Sequence, residues 1–288
     1  MLPGSYPLPV DACATLACLY EATARKPGNV HPKASFDDAT NYAAFVTSAV
    51  VIGPAIALAA DVGVGQAVLD ALRATRDAVH TNTNLGTILL LAPLAAVPST
   101  EAIASGIADV LGQLAANDTR AVYEAIRLAS AGGLGQTNEA DVRSDPPADL
   151  TLVDAMGLAA NRDLVARQYV TRFADVFVIA DWIAEALSGG STLEQAIVHA
   201  FVRQLASCPD SLIQRKCGPA VAKDASGRAA IVLTTDEPGG AAYQRALSEL
   251  DDWLRADGHR RNPGTTADLI AAALFVLLRE GRLHWSAW

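Results

Sequence analysis

The feature that most constrains this chain is the recurrence of apolar residues at three- and four-residue spacing, in windows rich in Ala, Leu, Glu and Arg. This spacing places apolar side chains on one face of a helix, and short stretches with Gly, Pro, Asn or Asp separate the windows. The pattern predicts an all-α fold. We expect about twelve helices, near residues 9–24, 37–60, 64–79, 85–96, 99–115, 119–130, 149–160, 164–188, 192–206, 210–224, 240–256 and 265–281.

One segment, 227–235, has the composition of a strand. It contains Ile231, Val232, Thr234 and Thr235, which favour extended structure. No second segment offers itself as a partner, and an isolated strand is only marginally stable. We therefore expect at most a small β excursion there, on an otherwise helical body.

The composition predicts one domain with a large interior. Apolar residues make up 51% of the chain and charged residues 18%, which is sufficient for a sizeable core. The sequence shows no fixed-period repeat and no low-complexity linker, so we expect residues 1–288 to form a single globular domain.

The charge of the chain narrows its partners. The net charge is −9 and the isoelectric point is near 5.0, so the overall field repels nucleic acids and anionic membranes. We expect no nucleic-acid partner and no membrane partner. Any anionic ligand would need a local cluster of basic residues.

The cysteines and the N-terminus indicate a cytoplasmic protein. The four cysteines lack the close spacing of a zinc site and are expected to be free thiols; they are Cys13, Cys18, Cys208 and Cys217. The first residues contain neither a basic region nor an apolar run of signal-peptide length.

The uncharged segment 43–60 is nearly long enough to span a bilayer. It is rich in Ala, contains Ser48 and Pro54, and lacks basic flanks, so a buried helix is the better interpretation. Segments 43–60 and 265–281 could pack within one subunit or across a homodimer, and periodicity does not distinguish the two.

Unusual polar residues form five clusters at predicted helix ends, where unpaired backbone N–H groups attract phosphate. The first cluster surrounds the bend at Pro27 and Gly28. We expect Lys26 to bind phosphate there, and Glu21 and Asp38 to offer oxygen ligands to Mg²⁺. An ordinary helix C-cap with a solvated basic pair is the alternative.

The second and third clusters are at 80–86 and 132–141. In the second, Asn82, Thr83 and Asn84 directly precede an apolar helix, so we expect them to hydrogen-bond a ligand or another loop. In the third, glycines including Gly133 permit close approach of a ligand to the backbone, and Asp141 follows as a candidate metal ligand.

The fourth and fifth clusters are at 210–218 and 260–269. Arg215 and Lys216 are candidate phosphate ligands. Gly264, Thr265 and Asp268 combine a bend, a hydroxyl and an acid at the start of a buried helix. Helix capping would also explain both clusters.

Three of these motifs, taken in order and spacing, resemble the triphosphoribosyl-dephospho-CoA synthase family. They are the Lys-Pro-Gly-Asn-Val run at 26–30 with Asp38 downstream, the Asn-Thr-Asn-Leu-Gly run at 82–86, and the Pro-Gly-Thr-Thr-Ala-Asp-Leu run at 263–269. The likeness extends over about residues 13–282.

The resemblance implies an all-α transferase with ATP as substrate. In that family the triphosphoribosyl group of ATP passes to the 2′-hydroxyl of dephospho-CoA and adenine is released. The product is the precursor of a prosthetic group for citrate or malonate lyase-type decarboxylating systems.

One motif departs from the better-known members, which have Asn-Thr-His-Lys-Gly where this chain has Asn84 and Leu85 at the His and Lys positions. A cation and a titratable group are therefore missing. The Asn-Thr-Asn-Leu-Gly form resembles relatives associated with pterin-dependent one-carbon metabolism, so an acceptor of the methanopterin type is an alternative.

Breaking an N-glycosidic bond requires balancing charge on the ribose carbon and on the leaving purine. We assign metal or base roles to the four acids Glu21, Asp38, Asp141 and Asp268, with the identity of the base left open. The candidates for binding ATP or its acceptor are Lys26, Gly28, Asn82, Thr83, Asn84, Gly133, Arg215, Lys216, Gly264 and Thr265. The alternatives are a nucleotide N-glycosidase and a non-catalytic nucleotide-binding protein.

Overall fold

The structure, a computed structural model, describes residues 8–37, 40–130 and 145–285. Within these ranges the protein is all-α, and the only β feature is an isolated bridge between His31 and Ala34. The described helices are α1 (Val10–Thr23), α2 (Tyr42–Ala57), α3 (Ala59–Val62), α4 (Val64–Val79), α5 (Leu85–Ala96), α6 (Ile103–Gln113), α7 (Ala116–Ser130), α8 (Leu152–Gly157), α9 (Leu164–Thr171), α10 (Ala174–Ser188), α11 (Leu193–Ser207), α12 (Ser211–Cys217), α13 (Pro219–Leu233), α14 (Ala241–Arg255) and α15 (Gly264–Arg279).

The all-α prediction is confirmed, with fifteen helices in the described ranges where twelve were expected, because three predicted helices are divided. The segment 37–60 breaks at Leu58, between α2 and α3. The segment 210–224 breaks at Gly218, which has a φ of 90° and precedes a proline. The segment 164–188 breaks at Arg172 and Phe173, whose φ angles of 55° and 62° are left-handed.

The expected β excursion at 227–235 is wrong. Residues up to Leu233 continue α13, and the last two residues form a turn. Because Ala222, Ala225, Ala229 and Val232 recur at helical spacing, they form one buried face that packs on α11. That tertiary packing outweighs the β propensity of the branched residues.

Helices α5 and α15 form the centre of the protein. Both are almost wholly apolar, and every residue from Leu269 to Leu278 of α15 is buried. Helix α15 packs against α1, α5, α10 and α11, and α5 packs against α2, α4 and α15. A helix that is apolar on all sides is stable only when it is surrounded in this way, so the polar residues at the N-termini of α5 and α15 lie deep in the protein.

The structure also tests the expectations for the cysteines and for the uncharged segment 43–60. All four cysteines are free thiols, and Cys13 and Cys18 are buried. Segment 43–60 is not one long helix: α2 contains Pro54 and ends at Ala57. None of the described helices combines the length and the apolar character needed to cross a bilayer.

Candidate active site

A cavity of about 1470 Å³ opens where the N-termini of α5, α9, α12 and α15 approach one another. Its wall also contains residues of α1, α4, α7 and α8. Ligand cavities for one drug-sized molecule usually measure about 300–1,000 Å³. This cavity is therefore large enough for more than one ligand of nucleotide size.

The cavity gathers most of the residues singled out in the sequence. Its wall contains Glu21, Asn82, Thr83, Asn84, Arg215, Lys216, Gly264, Thr265 and Asp268. Lys26 and Gly28 do not line it. Asp38, Gly133 and Asp141 lie outside the described residues.

Asp268 lies in the first turns of α15 and faces α5. The Thr87 hydroxyl donates a hydrogen bond to Asp268 Oδ1 over 2.6 Å. Burial, and then the nearby carboxylates of Glu21, Asp210 and Asp163, raise the pKa of Asp268 to about 8, although the Thr87 hydrogen bond opposes the shift. Asp268 therefore holds a proton at neutral pH in a position that faces the cavity.

Gly86 explains how a carboxyl group can approach α5 so closely. A Cβ atom at this position would lie 2.1 Å from Asp268 Oδ2, well inside van der Waals contact. Only glycine fits without displacing the acid. The glycine of the 82–86 motif and the aspartate of the 263–269 motif are thus in direct contact.

Glu21 is the second acid of the cavity, and it is paired with Lys26. The Lys26 side chain is fully buried, and its Nζ lies 3.0 Å from Glu21 Oε1. The same ammonium donates hydrogen bonds to the carbonyl oxygens of Glu21 and Ala24. Lys26 is therefore buried beside Glu21, forms an ion pair with it, and does not line the cavity.

Gly28, like Lys26, contacts other residues of the protein and does not line the cavity. Its backbone N–H donates to Asp251 Oδ1 over 2.7 Å, and its φ is 72°. A Cβ there would lie 2.8 Å from the Cβ of Leu254. Gly28 allows the loop after α1 to contact α14 and is separated from the cavity.

The amide of Asn84 is only half satisfied. Its Oδ1 accepts a hydrogen bond from the Thr75 hydroxyl over 3.2 Å, whereas its Nδ2 has no partner among the described residues. Asn29 Nδ2 and Asn262 Oδ1, in the same cavity wall, are also without partners there. A buried polar group without a partner costs about 1–3 kcal/mol, so ligand binding is a ready means of compensation.

Asn82 and Thr83 have partners within the protein. Asn82 Oδ1 accepts from the Leu85 N–H over 3.1 Å, and the hydroxyls of Thr83 and Ser48 are 2.6 Å apart. These bonds shape the turn before α5 and orient Asn84. Of the three polar residues in this motif, Asn84 is the buried one, and its donor has no partner among the described residues.

Asp210 joins the N-termini of α12 and α15. Its carboxylate accepts from the N–H groups of Leu212 and Ile213, and from both the N–H and the hydroxyl of Thr266, over 2.7–3.0 Å. Ser211 and Thr265 add a hydroxyl contact of 3.0 Å. Since this network fixes α12 against α15, it also fixes the basic residues that α12 carries.

The basic residues at the α12 end of the cavity are Arg215, Lys216 and Arg260. Arg215 lies 3.6 Å from Asp163, and Arg260 donates to the carbonyl of Lys216 over 2.9 Å. Burial, and then the charge of Arg215, lower the pKa of Lys216. No described residue forms an ion pair with Lys216, so an anion would relieve its unfavourable environment.

A second basic group, not singled out in the sequence, lies at another part of the wall. It consists of Arg76 in the last turn of α4 and Arg127 in the last turn of α7. Each is an isolated arginine at a helix end. The criterion applied to the polar clusters would have found them had it included single basic residues in last turns.

Glu21 and Asp268 are the predicted metal ligands that line the cavity. No group of three or more His, Cys, Asp or Glu side chains able to hold an ion exists among the described residues. Glu21 and Asp268 nevertheless share the cavity wall, and the charge of Glu21 helps to raise the pKa of Asp268. Mg²⁺ commonly binds to one or two carboxylates together with substrate phosphates, and this pair fits that pattern.

Comparisons with known proteins identify a family for the chain and a similar solved structure. Residues 8–286 match the model of the family CitG, described as ATP:dephospho-CoA triphosphoribosyl transferase. A crystal structure from Archaeoglobus fulgidus, provisionally named a triphosphoribosyl-dephospho-CoA synthase, superposes with a TM-score of 0.65 at 27% identity, and the match covers 82% of this chain and 99% of that one. No curated protein gives a significant match.

Proposed function

The chain belongs to the ATP:dephospho-CoA triphosphoribosyl transferase family, and we propose that its large cavity transfers the triphosphoribosyl group of ATP to dephospho-CoA. One observation carries the proposal: Asp268 of the 263–269 motif, whose pKa is raised to about 8, and the basic residues Arg215 and Lys216 of α12 lie in one cavity wall. The volume of about 1470 Å³ is consistent with two nucleotide substrates.

The reaction sets the requirements for the site. The bond between ribose C1′ and the purine nitrogen breaks, and a bond forms between C1′ and an acceptor hydroxyl, which we take as the 2′-hydroxyl of dephospho-CoA. The hydroxyl loses a proton and the departing adenine gains one. The protein must therefore carry a proton between them and stabilise charge on both sides of C1′.

Asp268 is the proposed proton carrier. Its pKa of about 8 means that it is protonated at neutral pH and can donate to the leaving purine. Because the Thr87 hydroxyl donates to Oδ1, the proton of the acid belongs on Oδ2. The carboxylate left after donation can then accept the proton of the acceptor hydroxyl, which balances the reaction.

Glu21 is the proposed principal magnesium ligand; Asp268, which is protonated at neutral pH, would join it as a second carboxylate only after it has given up its proton. Lys26 fixes Glu21 Oε1, and Oε2 has no hydrogen-bond partner among the described residues. Bound Mg²⁺ would neutralise part of the triphosphate charge. Asp38 and Asp141 remain predicted metal ligands.

Lys216 and Arg215 are the proposed ligands of the triphosphate, and Asn84 Nδ2 is the proposed donor to the purine or the ribose. Lys216 lacks an anionic partner and Asn84 lacks an acceptor among the described residues. The contacts predicted for Gly264 and Thr265 follow from their place in the same wall. Lys26 could bind phosphate only if its ion pair with Glu21 were broken.

The decisive experiment measures free adenine. The protein is incubated with Mg²⁺ and ATP, with and without dephospho-CoA, and products are separated by mass. Transfer predicts adenine release that depends on dephospho-CoA and yields an adduct heavier by the triphosphoribosyl group. Adenine release without an acceptor would instead identify a nucleotide N-glycosidase, and tight ATP binding with no release would identify a binding protein.

The family match favours dephospho-CoA over the pterin-type acceptor. A cytoplasmic location in prosthetic-group biosynthesis and assembly as a homodimer stay predictions; α15 packs on helices of its own subunit. The acceptor is tested by adding a pterin precursor in place of dephospho-CoA to the same assay.

A further inference from the structure

The arginine pair at the α4 and α7 helix ends has no role in the chemistry described so far. Arg76 Nη1 donates a hydrogen bond to the carbonyl of Leu128, which joins the last turns of α4 and α7. Arg127 follows from α7, and its Nη2 lies 3.4 Å from Asp145. Both arginines line the large cavity, so two guanidinium groups are offered to the same ligand space.

This pair and the basic residues of α12 lie on different helices of the cavity wall. Helix α4 packs on α5, α5 packs on α15, and α15 packs on α12. The Gly86 and Asp268 contact is at the α5 and α15 step of this series. The two basic groups are therefore held by separate helices, which the helices of the proposed proton carrier connect.

The wall beside the arginine pair is apolar. Helix α7 contributes Val122, Tyr123 and Ile126, and α8 contributes Leu152 and Met156. The Tyr123 ring is almost fully buried, and its hydroxyl forms no hydrogen bond with a described residue. A ligand bound here would meet two cations at one point and a long apolar surface next to it.

The two ends differ in charge. The α12 end has three basic residues, Arg215, Lys216 and Arg260, and the α4 and α7 end has two; Arg162, just before α9, is a further basic residue of the wall and donates to the carbonyl of Leu158. A triphosphate carries more negative charge than a diphosphate diester. Charge matching therefore favours the α12 end for ATP and the α4 and α7 end for a diphosphate ester with an extended, weakly polar arm.

We propose that Arg76 and Arg127 bind the diphosphate of the acceptor, whose pantetheine arm lies along the α7 and α8 wall. The ligand class is a diphosphate ester with a long uncharged tail, and the assignment rests on the proposed function. The assignment puts donor and acceptor into one cavity with Asp268, as transfer between them requires.

The test compares Michaelis constants in variants of the two ends. Arg76→Gln and Arg127→Gln are each expected to raise the KM for dephospho-CoA on the order of 10- to 100-fold, with the KM for ATP nearly unchanged. Lys216→Gln is expected to show the reverse. The matched control is Arg73→Gln, one turn before Arg76 in α4, because Arg73 pairs with Glu124 outside the cavity.

The outcomes separate this assignment from the activity itself. An arginine effect on the KM for ATP, or none on that for dephospho-CoA, overturns the assignment while leaving the transferase activity intact. If the wild-type protein releases no adenine, the proposed function fails, and calorimetric titration with dephospho-CoA alone then tests the subsite. Loss of binding in the arginine variants but not in Arg73→Gln supports the subsite. Equal binding in all variants, or no binding by the wild-type protein, overturns it. Circular dichroism checks folding, and Arg127→Gln decides alone if Arg76→Gln unfolds.

Discussion

Two carboxyl groups flank the start of α15, and their surroundings differ. Asp210 is fully buried and accepts four hydrogen bonds, three from backbone N–H groups and one from the Thr266 hydroxyl. Asp268 lines the cavity and accepts one described hydrogen bond, from Thr87. Burial raises the pKa of both groups.

The difference separates a structural acid from an acid available for chemistry. The four donors around Asp210 occupy the lone pairs of its carboxylate, which joins α12 to α15. Asp268 lines the cavity near other acids, and burial together with their charges raises its pKa to about 8. The following predictions test this contrast, from the largest expected effect to the smallest.

Replacing Asp268 tests the chemical role. Asp268→Asn keeps an oxygen to accept the Thr87 hydrogen bond but cannot carry a proton, so we expect turnover to fall by about 10²- to 10⁴-fold. Adenine release measures the rate, and thermal unfolding verifies the fold. A folded Asn variant with wild-type turnover would exclude Asp268 as the proton carrier.

Replacing Asp210 tests the structural role. In Asp210→Asn an amide NH₂ faces donors that need an acceptor, so we expect the free energy of unfolding to decrease by about 2–4 kcal/mol. Urea denaturation measures the loss. Turnover of the remaining folded protein should decrease far less than in Asp268→Asn; the opposite ranking would reverse the two roles.

Filling the space at Gly86 tests whether the position of Asp268 matters. Gly86→Ala places a Cβ against Oδ2, so we expect a stability loss of about 1–3 kcal/mol together with a lower turnover number. Gly227→Ala is the matched control, because no atom lies within 4 Å of its added Cβ and it lies within α13. The control should gain about 0.5–1 kcal/mol in stability. Equal behaviour of the two variants would contradict the close contact.

After the three substitutions, which are ordered by expected effect, the pH dependence of stability tests the raised pKa of Asp268 by its sign. The unfolded chain releases the Asp268 proton near pH ~3.9, whereas the folded protein retains it up to about pH 8. This contribution to stability is therefore complete below pH ~3.9, falls as the pH rises, and levels off above about 8. Urea denaturation of the wild-type protein and Asp268→Asn across pH 5–9 measures the two free energies of unfolding. The wild-type value minus the variant value should decrease as the pH rises. A constant difference would show that the pKa of Asp268 is not raised.

Much of the site was predictable because its residues occur in short motifs at helix ends. Helix ends must be polar or capped, so clusters there stand out against apolar helices, and this criterion indicated Glu21, Asn84 and Asp268. It did not indicate Thr87, Arg76 or Arg127, since each is a single residue in the first or last turn of a helix and not part of a polar cluster. Their contacts are made with residues distant in sequence, which spacing cannot reveal.

Lys26 shows the limit of the same criterion. Its place beside a Pro-Gly bend indicated a phosphate ligand, but the side chain turns inward to Glu21 and is fully buried. A buried ammonium needs a carboxylate and carbonyl oxygens, and the end of α1 supplies both. The direction of a flexible lysine depends on which acceptors the fold brings near, so its role in phosphate binding stays a prediction.

The amino-acid sequence by itself determined the helical class and the positions of most helices, because apolar spacing and Gly/Pro breaks act over a few residues. Only the tertiary structure decided that 227–235 is helical, that Phe173 turns left-handed while fully buried, and which acids face the cavity. These outcomes depend on packing between distant helices, whose free energy exceeds local propensity, and that information exists only once the chain is folded.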